Sequence, residues 1–122
     1  MKLYGYAIVK FHDKDDGYSL HKVHFTQEVE EYPGCYTNAE EKYFPSDWDN
    51  FFPKDEIEKV QKDVYGTNII YLVYLLEDDN VKAMSLIKQA IQEEIDELQK
   101  KINYKQELLG VTCGSICEIE EL

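Results

Sequence analysis

The feature that most constrains this chain is one stretch without a helix breaker, NVKAMSLIKQAIQEEIDELQKKINYKQELL, running from Asn80 to Leu109. It holds no Pro and no Gly, and it is rich in Leu, Lys, Gln, Glu and Ala, all good helix formers. Asp79 or Asn80 can cap the first turn by accepting a backbone N–H that would otherwise be unpaired. Gly110 follows as the expected stop, since glycine takes the left-handed conformation that ends many helices. Apolar residues fall at Met84, Ile87, Ile91, Ile95, Leu98, Ile102 and Leu109, spaced three or four apart except for a final gap at Lys105. That is one stripe. From Ile91 onward it follows a heptad, broken where Lys105 takes an apolar position.

Length turns this helix into a constraint on assembly. Thirty residues of helix span roughly 45 Å. A compact chain of this size is only about 36 Å across. The second half, from about Ile95, is therefore expected to find a partner or to lie along a sheet edge. The leading expectation is a homo-oligomer, most simply a two-fold dimer, joined as a coiled coil through Ile91, Ile95, Leu98, Ile102 and Leu109. Glu93, Glu94, Asp96 and Glu97 precede Lys100, Lys101 and Lys105 along the helix. Two antiparallel copies then set acid against base.

Upstream, the pattern changes from a period near 3.6 to a period of two. Leu3 to Phe11 reads as a strand, with Leu3, Ala7, Val9 and Phe11 on one face and Tyr4, Tyr6, Ile8 and Lys10 on the other. Gly5 in its middle marks a close approach by another backbone. HDKDDG is a turn, and Tyr18 to Gln27 is the return strand of an antiparallel hairpin. His21 and His24 fall on opposite faces of it. Pro33-Gly34 signals another turn, with a short strand at Cys35 to Thr37. Pro53 is suited to open a short helix reaching about Val64, because proline fits a first helical turn. Thr67 to Leu76, TNIIYLVYLL, is apolar on both faces and reads as a strand covered on both sides. A last short strand is expected near Thr112 to Ile116. The fold class expected is α+β: a small, mainly antiparallel sheet with one short helix and one long C-terminal helix, in a single acidic domain covering residues 1–122.

Charge narrows the partner. The chain carries 25 acids against 13 basic residues, a formal net charge of −12, and every one of those 13 is Lys. Without Arg it lacks the planar fork that grips phosphate in two places. Without a basic face it is not expected to bind nucleic acid directly. Lys without Arg, with Ile, Asn and Tyr, is the composition of AT-rich coding sequence, as in low-GC bacteria, their phages and plasmids. The acid is concentrated: Glu28 to Glu58 holds 10 acids against Lys42 and Lys54, a net of −8. Inside that block lies YFPSDWDNFF, where Tyr43, Phe44, Trp48, Phe51 and Phe52 alternate with Asp47 and Asp49.

These aromatics have two readings. They plug the core beneath a loop, or they form a recognition patch, since Trp and Tyr dominate interface hot spots and surrounding carboxylates steer a basic partner inward. The second makes Glu40, Glu41, Tyr43, Phe44, Asp47, Trp48, Asp49, Phe51 and Phe52 the candidate partner-binding residues.

Catalytic and metal chemistry find little support. HDKDDG puts His12 and Lys14 where a calcium loop needs oxygen ligands. Cys113 and Cys117 have zinc-knuckle spacing but no second pair. No nucleophile elbow and no glycine-rich phosphate loop is present. Neither catalytic residues nor a metal or cofactor is expected. Three cysteines without a framework spacing point to reduced thiols and a cytoplasmic protein, and no apolar run reaches membrane-spanning length. The expected function is a non-enzymatic acidic binding or inhibitor protein that engages a basic surface of a protein partner. It is comparable in type with phage inhibitors, immunity proteins and DNA mimics. The rival expectation is an oligomeric small-molecule-binding protein with an aromatic pocket between protomers.

Overall fold

The computed structural model describes residues 1–13, 17–39, 51–64 and 66–112. Six strands form one antiparallel sheet: β1 (Lys2–His12), β2 (Tyr18–Tyr32), β3 (Cys35–Asn38), β4 (Phe51–Pro53), β5 (Gln61–Lys62) and β6 (Ile69–Leu75). One long helix, α1 (Asn80–Thr112), follows them. The strand order is β4-β3-β2-β1-β6-β5. Contacts within the chain fall into two compact units, Met1–Ala90 and Ile91–Leu122.

The expected β1–β2 hairpin forms, with a register from His12 opposite Tyr18 to Lys2 opposite Glu28. The return strand runs past Gln27 to Tyr32 despite three glutamates. Alternation carries it there. Val29 points into the core at 3% exposure, Glu28 meets the N-terminal amine and Lys2, and Glu30 and Glu31 stay exposed. Pro33-Gly34 then closes a two-residue hairpin, Tyr32 opposite Cys35. Gly34 takes φ +86°, a conformation open to glycine at little cost.

Side-chain parity divides the sheet into two packed faces. On one face Leu3, Ala7, Val29, Leu72 and Tyr74 form a buried cluster with Tyr36, Phe52 and Val64. On the other, Tyr6, Val73 and Leu75 are also fully or almost fully buried. In α1 the buried residues are Ala83, Ile87 and Ala90, and these small and branched side chains complete the second layer. Leu72 to Leu75 are consequently buried without a break, as the two-sided apolar run requires. Ile70 and Tyr71, expected in the core, are half-buried.

Gly5 is not approached by a backbone. It lies opposite Phe25 on one side and Tyr74 on the other, and those two rings meet edge to face with centroids 5.7 Å apart. A Cβ at Gly5 would sit 2.3 Å from Cζ of Phe25. The glycine is required by a ring laid across it.

Two expected helix features are absent. Between Pro53 and Val64 the only helical element is a 3-10 turn, Lys54–Glu56, and β5 follows it. Glu58 and Asp63 take positive φ, 66° and 49°, which no helix permits. The backbone instead serves the outer edge of β6: Glu58 N–H donates to Tyr74 O, Asp63 N–H to Ile70 O and Val64 N–H to Ile69 O. Pairing an otherwise open sheet edge outweighs a weak local helix preference. At the other end α1 does not stop at Gly110 but continues through Thr112, whose hydroxyl donates to Leu109 O. Thr112 is thus helical where a strand was expected; 113–116 lie outside the described residues. The start of α1 is as read from sequence. Asp79 Oδ1 accepts from Lys82 N–H at 3.0 Å and Asp79 O accepts from Ala83 N–H.

Two substitutions test this core. Leu72→Ala is expected to cost about 2–5 kcal/mol through lost burial and a cavity. Gly5→Ala is expected to cost about 1–3 kcal/mol by overpacking against Phe25. Urea denaturation reads both, and wild-type midpoints would place β1 and β6 outside the core.

Candidate functional site

Most of the acidic–aromatic segment lies outside the described residues: Glu40, Glu41, Tyr43, Phe44, Asp47, Trp48 and Asp49. Its last two aromatics are described, and they part company. Phe51 is 43% exposed. Phe52, opposite Tyr36 on β3, has no exposed surface and meets Tyr74 edge to face at 4.9 Å. Phe52 is therefore a core residue and presents nothing to a partner. Strand alternation causes the split: neighbours in β4 face opposite ways.

Acids near this segment stand on the surface. Glu30, Glu31, Asp55 and Glu58 are exposed. Lys54 Nζ lies 2.6 Å from Glu31 Oε1, and Lys82 Nζ lies 2.5 Å from Glu58 Oε1. The hydrogen bond that Lys82 donates to Glu58 pushes the Lys82 ammonium pKa upward. Exposed pairs of this kind contribute little to stability; they partly mask an acidic surface rather than build a core.

The helix residues expected to join protomers behave differently along their length. Ile91 is half-buried. Ile95, Leu98, Ile102 and Leu109 are 50%, 57%, 48% and 64% exposed. Nothing among the described residues covers this stripe from Ile95 onward.

A second constellation had no counterpart in the sequence reading. Tyr6 on β1 and His24 on β2 are cross-strand partners, and their rings stack at 4.3 Å with 10° between planes. Tyr6 OH donates to Asp78 Oδ1 at 2.6 Å. His24 Nε2 lies 3.2 Å from the same oxygen. His24 Nδ1 lies 3.0 Å from Gly5 O, so each ring nitrogen faces an oxygen of the group. Tyr4 extends the stack on the far side of His24. Burial, the Asp78 hydrogen bond and the nearby carboxylate charge push the Tyr6 phenol up to about 12. The hairpin register pairs Tyr6 with His24, and the residues alone predict the hairpin but not that register. Asp78 reaches them only because β6 runs antiparallel beside β1, which no local pattern announces. The donors of Tyr6 and His24 are consumed within the group, so it acts as a latch joining β1, β2 and the entry to α1.

His21 points away from His24, toward Phe11 and Ser19, so the two histidines cannot share a metal ion. No group of three His, Cys, Asp or Glu side chains among the described residues is placed to hold one. Cys113 and Cys117 lie outside the described residues, as does most of the HDKDDG turn. No described helix is long and apolar enough to cross a membrane. The chain matches no protein-family model, no curated protein and no solved structure.

The latch makes a pH prediction. An unfolded tyrosine loses its proton near pH 10, and in the folded chain Tyr6 holds it to about 12. The folded state therefore keeps its full advantage below pH ~10 and loses it as pH rises toward 12. Tyr74, raised by burial, contributes the same sign and is common background. Thermal midpoints followed across that range are expected to fall less steeply in Tyr6→Phe than in wild type. Equal slopes would remove Tyr6 from the account.

Proposed function

We propose that this is a non-enzymatic acidic binding protein that works as an antiparallel homodimer and engages a basic surface of a protein partner. The observation that carries the reading is the exposed heptad stripe on α1. A row of large apolar side chains about half exposed over four turns is costly to leave in water, and a second copy is the occupant its charges fit.

Heptad positions give the register. Ile91 and Leu98 fall at d, Ile95 and Ile102 at a. Glu94 and Lys101 fall at g, and Gln92 and Gln99 at e. An antiparallel pair with its centre between Asp96 and Glu97 stacks Ile95 on Leu98 and Ile91 on Ile102 of the second copy. On one flank it sets Glu94 against Lys101, twice by symmetry. On the other it sets Gln92 against Gln99, two amides able to exchange hydrogen bonds. A parallel pair would place Glu94 beside Gln99 and Lys101 beside Gln106, with no opposite charges. Lys88 and Lys105 meet in an outer layer of the antiparallel pair. Their long stems can carry the charge outward, at a cost that disfavours other registers.

The partner half of the reading rests on charge. The net of −12 gives a field that attracts a basic surface over long range, and the acids described between Glu28 and Glu58 stand at or near the surface rather than in the core. A nucleic-acid mimic, with carboxylates in place of phosphates, is one form of such a protein. Phe51, with Trp48 beside it in sequence, is the candidate anchor now that Phe52 is committed to the core.

Light scattering at micromolar concentration tests the assembly. The expected mass is twice that of the 14.4 kDa chain, and Leu98→Asp is expected to return it to one chain with the sheet intact by circular dichroism. A wild-type monomer would contradict the proposal. For the partner, Asp47→Lys with Asp49→Lys is expected to slow association and flatten its salt dependence, while Phe51→Ala speeds dissociation. Unchanged kinetics in both would move the site elsewhere.

A further inference from the structure

β2 is longer than its neighbours on one side. It pairs with β1 along Tyr18 to Glu28, but β3 reaches only Val29 to Tyr32, with one further bond from Ala39 N–H to Glu28 O. Among the described residues, the outer edge from Tyr18 to Thr26 has no strand beside it.

Which backbone groups face that edge follows from the hydrogen bonds at its two ends. Gly17 O accepts from Asp13 N–H, and Val29 N–H donates to Met1 O. The odd-numbered residues of β2 thus turn toward β1. By alternation Tyr18, Leu20, Lys22, His24 and Thr26 turn their N–H and C=O groups outward. Glu28 O, the next in that series, faces outward and is taken by Ala39, in agreement. The open row spans about 27 Å. It contains no proline, and no bulge interrupts its pairing with β1. Long edges of this kind are templates for another strand.

The composition of the edge says what that strand is. In a chain with 25 acids, the run Gly17 to Gln27 has no Asp or Glu. Lys22 sits at its centre and is exposed. Lys2, Lys54 and Lys82 each have a carboxylate partner, whereas Lys22 has none among the described residues. His21 flanks it. Leu20 at 57% and Tyr18 at 59% exposure add apolar surface.

We infer that the β2 edge is a strand-addition site for an extended acidic segment of another protein, with alternating carboxylate and β-branched residues. A carboxylate opposite Lys22 completes a cross-strand ion pair, while the backbone ladder supplies most of the attachment. Two copies paired about Lys22 would instead oppose ammonium to ammonium. This site lies on a different element from the stripe on α1 and stands without it.

Amide hydrogen exchange by NMR tests the inference, with an end-blocked (Val-Glu)4 peptide as probe and (Val-Lys)4 as control. Millimolar (Val-Glu)4 is expected to slow exchange of the Leu20, Lys22, His24 and Thr26 amides by tenfold or more, and the control to slow it less than twofold. Lys22→Glu, an exposed change that leaves the fold in place, is expected to reverse that preference. Three results would each overturn the inference. They are no slowing by either peptide, equal slowing by both, and protection in the protein alone that rises with its own concentration, which would assign the edge to a second copy.

Discussion

The structure depends on two rings meeting over a glycine. Phe25 from β2 and Tyr74 from β6 contact edge to face above Gly5 of β1, and Phe52 from β4 packs on Tyr74 from the same side. Four strands are tied through one point. An edge-to-face pair gains about 0.5–1.5 kcal/mol beyond its burial, but the larger effect is positional. Only a residue without a side chain leaves room for the Phe25 ring over β1. Tyr74 OH donates to Gln27 Oε1, which satisfies the one polar atom the arrangement buries on that ring. Burial also drives the Tyr74 phenol well above its ordinary range.

Fixing β1 between β2 and β6 has a consequence on the opposite face. It brings Tyr6 and His24 beside the segment that leaves β6, where Asp78 accepts from Tyr6 OH and lies 3.2 Å from His24 Nε2. Asp79, the next residue, caps α1. The start of the helix is thus set by the sheet, and the buried Ala83, Ile87 and Ala90 follow at spacings of four and three. From Ile95 the same periodicity continues with its apolar residues exposed. The sequence repeat does not change where the burial does, and this unbroken stripe with unequal cover is the basis on which a second copy is proposed.

Elements with a strong local period were legible from residues alone: the long helix, the hairpin around HDKDDG and the two-sided β6. The misreadings share a cause. Ile57, Val60 and Val64 have helical spacing, yet their segment was drawn to the edge of β6, a demand made by a strand that comes later in the chain. Gly110 could stop a helix but is not obliged to, and it takes no positive φ here. Phe51 and Phe52 are chemically equal in sequence, and only pairing with β3 decides which faces inward. For the candidate site, Glu40 to Asp49 remain a reading of composition, Ile95, Leu98, Ile102 and Leu109 are exposed, and Asp78 in the latch could be found only in three dimensions.

The proposed reading has an acidic surface that meets a partner and a helix that joins two copies. Its central claim is the antiparallel pairing, and isotope-filtered NOE spectroscopy on a mixture of labelled and unlabelled chains tests it most directly. The account predicts contacts between chains from Ile95 methyls to Leu98 and from Ile91 methyls to Ile102. Ile102 methyls contacting Ile102 of the other chain would show a parallel pair, and no contact between chains along this stripe would show none; either result contradicts it.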